Sequence, residues 1–234
     1  MNCKRTNTKV IAAALIALGI FAAGLALRNG IVKFKSMERI VTVKGLAEKE
    51  VPADKVVWRI NYSEMGNDIL SLYATVEKNN AAIKSYLIEN GLDESEIFIS
   101  SPSLTDQEEA YSYRENKPRF KYSIYSSITI PSKKIDIVRG LTSRIVTDFM
   151  KKGVVLNDYA YYDFTGLNEI KPQMIEDATA NARASAQKFA EDSHSRIGKI
   201  KTASQGQFSI DDLDETTPYI KKVRVVTTIV YYLN

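Results

Sequence analysis

Few residues in this chain have the chemistry to react. The sole histidine, His194, stands between Ser193 and Ser195, and a serine nucleophile needs a histidine base in hydrogen-bond reach and correctly oriented. Neighbouring residues on a helix point in different directions, so this triplet reads as an ordinary helix end. The sole cysteine, Cys3, precedes a long apolar segment. It can form no disulfide within the chain, and a Cys–His pair would have to bridge that segment. Zinc sites take several Cys or His ligands, and one of each does not supply them. Asp211, Asp212, Asp214 and Glu215 offer oxygen ligands, but without the spacing and central glycine of a calcium loop; they read as a solvated acidic loop. Glu108 and Glu109 are adjacent carboxylates, whereas glycosidase carboxylates must flank a cleft. Gly140, Gly153, Gly166 and Gly198 are isolated and lack a phosphate-loop context. The sequence therefore predicts no catalytic residue, no metal ligand and no bound cofactor.

Tyrosine is the one residue type with an unusual distribution. It clusters at Tyr111 and Tyr113, Tyr122 and Tyr125, Tyr159, Tyr161 and Tyr162, and Tyr231 and Tyr232. Adjacent pairs must face both sides of a strand. Strand propensity and core filling account for one side; the other offers an aromatic surface for subunits or glycans, with subunits favoured. The net charge is +4, and much of the excess flanks the apolar segment, which argues against nucleic acid as a partner. The pairs Lys133/Lys134, Lys151/Lys152 and Lys221/Lys222 border regular elements and read as solvated ends.

These residues must be positioned by a chain whose first feature is an apolar run over residues 10–27, behind Lys4, Arg5 and Lys9. As a helix it spans about 27 Å, enough for a bilayer's hydrocarbon core. A retained anchor, a cleaved signal peptide and a buried soluble helix all fit such a run. The anchor is preferred, because the run is longer than a signal core and meets Arg28 without a terminal cleavage site. The predicted organisation is a basic flank (1–9), a membrane or signal helix (10–27), a linker (28–37) and an extracytoplasmic domain (38–234).

Within that domain, period-two and period-3.6 patterns alternate. Residues 39–46 read as a strand followed by a turn at Pro52, and Val56, Trp58, Ile60 and Tyr62 form one face of a second. Asp68 caps a helix with Ile69, Leu72, Val76, Ile83 and Leu87 on its apolar stripe, closed by Gly91. Residues 97–107 read as a strand broken near Pro102, and residues 108–118 as a polar turn. The cleanest alternation sets Ile124, Ser126, Ile128 and Ile130 on one face. Ser132 is the expected cap of a helix carrying Ile135, Val138, Leu141, Ile145 and Phe149, and a strand follows over 154–165. A third helix begins near Asn168 with Pro172 in its first turn; Ala178, Ala182, Ala186 and Ala190 form a smooth ridge along it. Strands over 199–205 and 223–233 end the chain.

The run Ile40-Val41-Thr42-Val43-Lys44-Gly45 with Ala47, the Val51-Pro52-Ala53-Asp54 turn, the helix end before Gly91 and the 122–130 strand occur in a telling order. With the alanine ridge and the Ile197-Gly198-Lys199-Ile200 step, they resemble the SIMPL domain family, also called domain of unknown function 541. That family includes periplasmic immunogenic proteins and proteins described as defending against oxidative stress. The resemblance implies an α+β fold with an antiparallel-rich sheet and amphipathic helices, behind one N-terminal transmembrane or signal helix. It also implies ring-like or channel-like homo-oligomers, and it brings no catalytic motif. The expected function is a non-enzymatic cell-envelope protein acting by oligomeric assembly or protein interaction, in oxidative-stress defence. Its expected place is the inner membrane, with the domain in the periplasm; the alternative is a periplasmic protein freed by signal cleavage. The alternative function is an extracytoplasmic module that binds a small envelope ligand or glycan.

Overall fold

The computed structural model describes residues 3–36, 39–110 and 118–234, without the side chains of residues 3–14 and 33–36. Tyr111, Tyr113 and the side chains of Cys3, Lys4, Arg5 and Lys9 lie outside the described residues. The first helix, α1, runs over Cys3–Ser36 and so continues through residues 28–36, where the sequence suggests a linker. Within it, Leu15–Val32 is long and apolar enough to cross a membrane and is exposed throughout.

The chain then alternates as α+β, and each pairing with a described register is antiparallel. β1 (Ile40–Pro52) continues through the charged stretch after Gly45 and leads into β2 (Lys55–Gly66). α2 (Ile69–Glu89) follows, then a short 3-10 turn at Glu94–Glu96, β3 (Phe98–Ile99), β4 (Ser103–Asp106) and the single turn α3 (Gln107–Ala110). Next come β5 (Tyr122–Ser132), α4 (Ile135–Thr142), α5 (Ile145–Met150) and β6 (Asn157–Asp163). The long helix α6 (Leu167–Asp192), β7 (Ile197–Gln205), β8 (Ser209–Asp212) and β9 (Ile220–Leu233) complete it.

These elements divide into two compact units, one of residues 48–172 and 208–224, the other of residues 1–47, 173–207 and 225–234. The first contains a sheet in the order β3-β5-β2-β6, with β4 also on β5. Its registers put Trp58 opposite Ile130 and Ala160, and Ile60 opposite Ile128 and Asp158. The period-two residues Val56, Trp58, Ile60 and Tyr62 are buried with Ile124, Ile128 and Ile130. Against them pack Leu72, Val76, Ile83 and Leu87 of α2, and Val138, Leu141, Ile145 and Phe149 of α4 and α5. Ile69, placed on the stripe by its spacing, is 39% exposed. The Trp58 indole N–H donates to Asp158 Oδ2 at 3.0 Å, which satisfies the one polar atom of a fully buried ring.

Local signals explain the helix ends. The Ser71 backbone N–H donates to Asp68 Oδ1 at 2.8 Å, the expected N-cap. Gly91 at φ +100° and Gly153 at φ +83° take left-handed conformations that suit glycine. Ser132 differs from expectation. It ends β5, and its hydroxyl accepts from the Lys134 N–H at 3.0 Å and donates to Glu96 Oε1 at 2.9 Å. The single helix expected beyond it is two helices, because Thr142 and Ser143 turn their hydroxyls back onto the Arg139 and Gly140 carbonyls at the break.

In the other unit, Val43 of β1, Ile229 and Tyr231 of β9, and Ala182 and Ala186 of α6 form one buried cluster. All four ridge alanines are buried, and Met174 extends the ridge by one turn. The ridge lets the helix backbone come very close to β1. A Cβ built on Gly45 would lie 1.8 Å from the Ala178 carbonyl oxygen and 2.4 Å from the Ala182 nitrogen. Neither is a flexible side-chain end, so the strand or the helix would have to move. Gly45→Ala should therefore destabilise the protein by at least about 3 kcal/mol. Gly140→Ala, which meets nothing within 4 Å in α4, should be neutral or stabilising by up to about 1 kcal/mol. Denaturant unfolding of the two variants checks both.

Candidate functional site

His194 sits after α6 at φ 54°, with its backbone N–H bonded to the Glu191 carbonyl. Its serine neighbours face other partners: Ser193 Oγ donates to the Ala190 carbonyl and Ser195 Oγ to the Ser193 carbonyl. No nucleophile–base pair is formed there. Among the described residues, no three His, Cys, Asp or Glu side chains gather as a metal site. Glu108 lies 3.9 Å from Lys121, and the Glu108 and Glu109 N–H groups both donate to Asp106 Oδ1.

The acidic segment is built into structure. Asp214 accepts from the Thr216 N–H, the Thr216 hydroxyl and the Thr217 N–H, which hold its carboxyl down at about 2. Asp212 on β8 stands opposite Lys221 on β9, and the two side chains form a close ion pair. The Lys221 side chain is only 5% exposed. Its ammonium also lies 5.3 Å from the centroid of the Tyr161 ring, a cation–π contact. Lys221 is thus a buried ammonium, where the sequence suggests a solvated strand end. Lys222, its neighbour on the other face, lies 3.1 Å from Glu48.

The tyrosines divide as adjacent strand residues must. Tyr62, Tyr162 and Tyr231 are buried, whereas Tyr125, Tyr159, Tyr161 and Tyr232 are exposed. The exposed ones on β6 meet β2 residues on the same face, since Val57 pairs with Tyr161 and Arg59 with Tyr159. These four side chains line an open cavity of about 290 Å³. β6 is the last strand of its sheet. Among the described residues, no backbone hydrogen bond leaves residues 157–162 on the side away from β2. Two aromatic rings, one guanidinium and an open strand edge form a surface suited to contact.

A second polar grouping is internal. The Tyr62 hydroxyl lies 2.8 Å from Asn80 Oδ1 and 2.9 Å from the Val76 carbonyl, and the Ser126 hydroxyl lies 2.9 Å from the same Oδ1. Asn80 is a polar interruption in the apolar stripe of α2, buried beside Val76 and Ile83. Four polar residues, Glu77 to Asn80, stand between them in the sequence, and Asn80 is the one that the fold buries. Burial pushes the Tyr62 phenol up to about 12, against a smaller lowering by the Ser126 hydrogen bond and a further rise from Glu64. Glu64 is itself raised by burial, offset in part by the Asn79 amide.

Residues 41–228 match the family model described as SIMPL, protein of unknown function (DUF541). The chain belongs to the SIMPL family. The match takes in the close approach at Gly45, the alanine ridge of α6, both tyrosines of the β6 face and the Asn80 grouping. No curated protein matches the chain. In this SIMPL protein the exposed Tyr159 and Tyr161 of β6 stand beside Arg59 and Val57 of β2 on one face of the sheet.

Two outcomes follow for these buried groups. Removing the carboxylate by Asp212→Ala leaves the Lys221 ammonium unpaired and should cost about 2–3 kcal/mol, less than for a fully enclosed pair because Asp212 is 49% exposed. Lys221→Met should cost much less, since it removes the charge that needs a partner; thermal unfolding of both variants compares them. The phenol of Tyr62 has a folded value above its ordinary value of 10. Its stabilising contribution is therefore full below pH 10 and is lost as pH rises from there through about 12. Across that window the wild type should lose about 3 kcal/mol more than Tyr62→Phe, measured by denaturant unfolding at stepped pH.

Proposed function

We propose that this SIMPL protein is a membrane-tethered component of the cell envelope that acts by assembly and protein contact, without catalysis. Its domain lies in the periplasm or another extracytoplasmic space, held by α1. The open edge of β6 with its exposed Tyr159 and Tyr161 carries this reading. Uncovered edge strands pair with other chains unless blocked by charge, proline or a bulge; β6 holds no proline, its residues 159–161 are uncharged, and Asp158 is engaged by the Trp58 indole.

The β6 sequence also suits pairing with a second copy. Antiparallel pairing centred on Ala160 would set Tyr159 opposite Tyr161 of the other copy, and Asn157 opposite Asp163. No like charges then face each other directly, and aromatic pairs of this kind add about 0.2–1 kcal/mol each. Oxidative-stress defence is the physiological setting that family resemblance adds. The second reading is a small-ligand or glycan module, favoured by the cavity between Arg59, Tyr159 and Tyr161.

Light scattering on the full chain in detergent micelles distinguishes the two. The expected result is a defined multimer without added ligand, reduced to a monomer by the double change Tyr159→Lys and Tyr161→Lys. A wild-type monomer would remove the assembly reading, and saturable binding of a sugar by that monomer would support the second one.

A further inference from the structure

A cleft of about 400 Å³ lies away from the tyrosine face, between α2 and the chain at residues 99–102. Its size is in the range of ligand sites. Tyr73, Glu77, Asn80, Ala81 and Lys84 form one wall, a single face of α2; Ile99, Ser100, Ser101 and Pro102 form the other. Asn80 is the floor. It is only 7% exposed, and the Tyr62 and Ser126 hydroxyls hold one end of its amide. The opposite end has no hydrogen-bond partner among the described residues, and Asn80 lines the cleft. The NH2 end left free in this way can donate to a main-chain carbonyl, the acceptor that every residue of an extended peptide carries.

The opposite wall is a sheet edge. Among the described residues β3 and β4 pair only with β5, and the chain between them is diverted at Pro102. The Ser100 N–H turns inward to the Ser127 carbonyl at 2.9 Å. Ser101, next in line, is exposed, and its backbone makes no hydrogen bond among the described residues. A groove between a helix and an unpaired sheet edge is the geometry in which an extended peptide adds as a further strand. Charge selects among peptides. Lys84 is engaged by Glu94 at 2.6 Å, while Glu77 has no ion pair among the described residues. Tyr73 stands one helical turn away on the same face, so the two together suit a cationic side chain.

We infer that the cleft between α2 and residues 99–102 binds an extended peptide segment of a partner protein, with a lysine or arginine seated between Tyr73 and Glu77 and a main-chain carbonyl accepting from the Asn80 amide. The inference is independent of pairing at β6, because the two surfaces share no residue.

The test is fluorescence anisotropy on the full chain in detergent micelles. The probe is a fluorescein-labelled peptide that alternates valine and threonine around one central lysine. Controls replace that lysine by glutamate or methylate alternate backbone nitrogens. The lysine peptide should bind saturably, with either control at least about tenfold weaker. Ala81→Trp, an exposed position that fills the groove without entering the core, should abolish binding while the far-ultraviolet spectrum is unchanged. Glu77→Lys should reverse the order, so that the glutamate peptide binds more tightly than the lysine one. Absent binding of the lysine peptide, equal binding by the backbone-methylated control, or retained binding by folded Ala81→Trp would each overturn the inference. Loss of multimer in the Tyr159→Lys, Tyr161→Lys protein with peptide binding intact would confirm that the surfaces act separately.

Discussion

The approach of α6 to β1 at Gly45 is closer than any residue with a Cβ permits. That single contact sets a requirement on both elements. The strand must supply a glycine, and the helix must supply small side chains on the turns above and below it. Ala178 and Ala182 meet that demand, and Ala186 and Ala190 extend the smooth face toward the helix end. Larger side chains would lift the helix and open a gap over Val43 and Ile229, with the loss of contact energy that voids in a packed core bring. The charged residues between the alanines, such as Arg183 and Lys188, can then be solvated without cost to packing.

The patterns that were legible in the sequence are those decided locally. The Asp68 cap, the left-handed Gly91 and the alternation of β5 each depend on residues within one element, and each stands as read. The alanine ridge belongs to the same class, since a four-residue repeat defines a helix face by itself. The helix pair α4 and α5 marks the limit. Val138, Leu141, Ile145 and Phe149 keep helical spacing across the break, so periodicity alone cannot reveal it. The interruption arises from two hydroxyls competing for carbonyls, with Arg144 reaching across to Asn90 Oδ1 at 2.7 Å.

The candidate surfaces were less legible, because they are products of register. Arg59 and Tyr159 are distant in sequence and become neighbours only when β2 and β6 align. Lys221 looks like a member of a solvated basic pair until the turn between β8 and β9 brings it opposite Asp212. Alternation predicts that Tyr161 and Tyr162 point to opposite faces, yet it does not say which face is covered. Asn80 is intermediate. A polar residue inside an apolar stripe announces a buried hydrogen bond, but its partners Tyr62 and Ser126 come from two different strands.

The chain's one tryptophan, Trp58, is fully buried in the unit of residues 48–172 and 208–224. Its indole emission is therefore a private optical channel for that unit, whereas far-ultraviolet dichroism sums over both. Coincident transitions in the two signals would mean that the units melt as one cooperative body. A separation between them would resolve the energetics of each without a label, a truncation or an added chromophore.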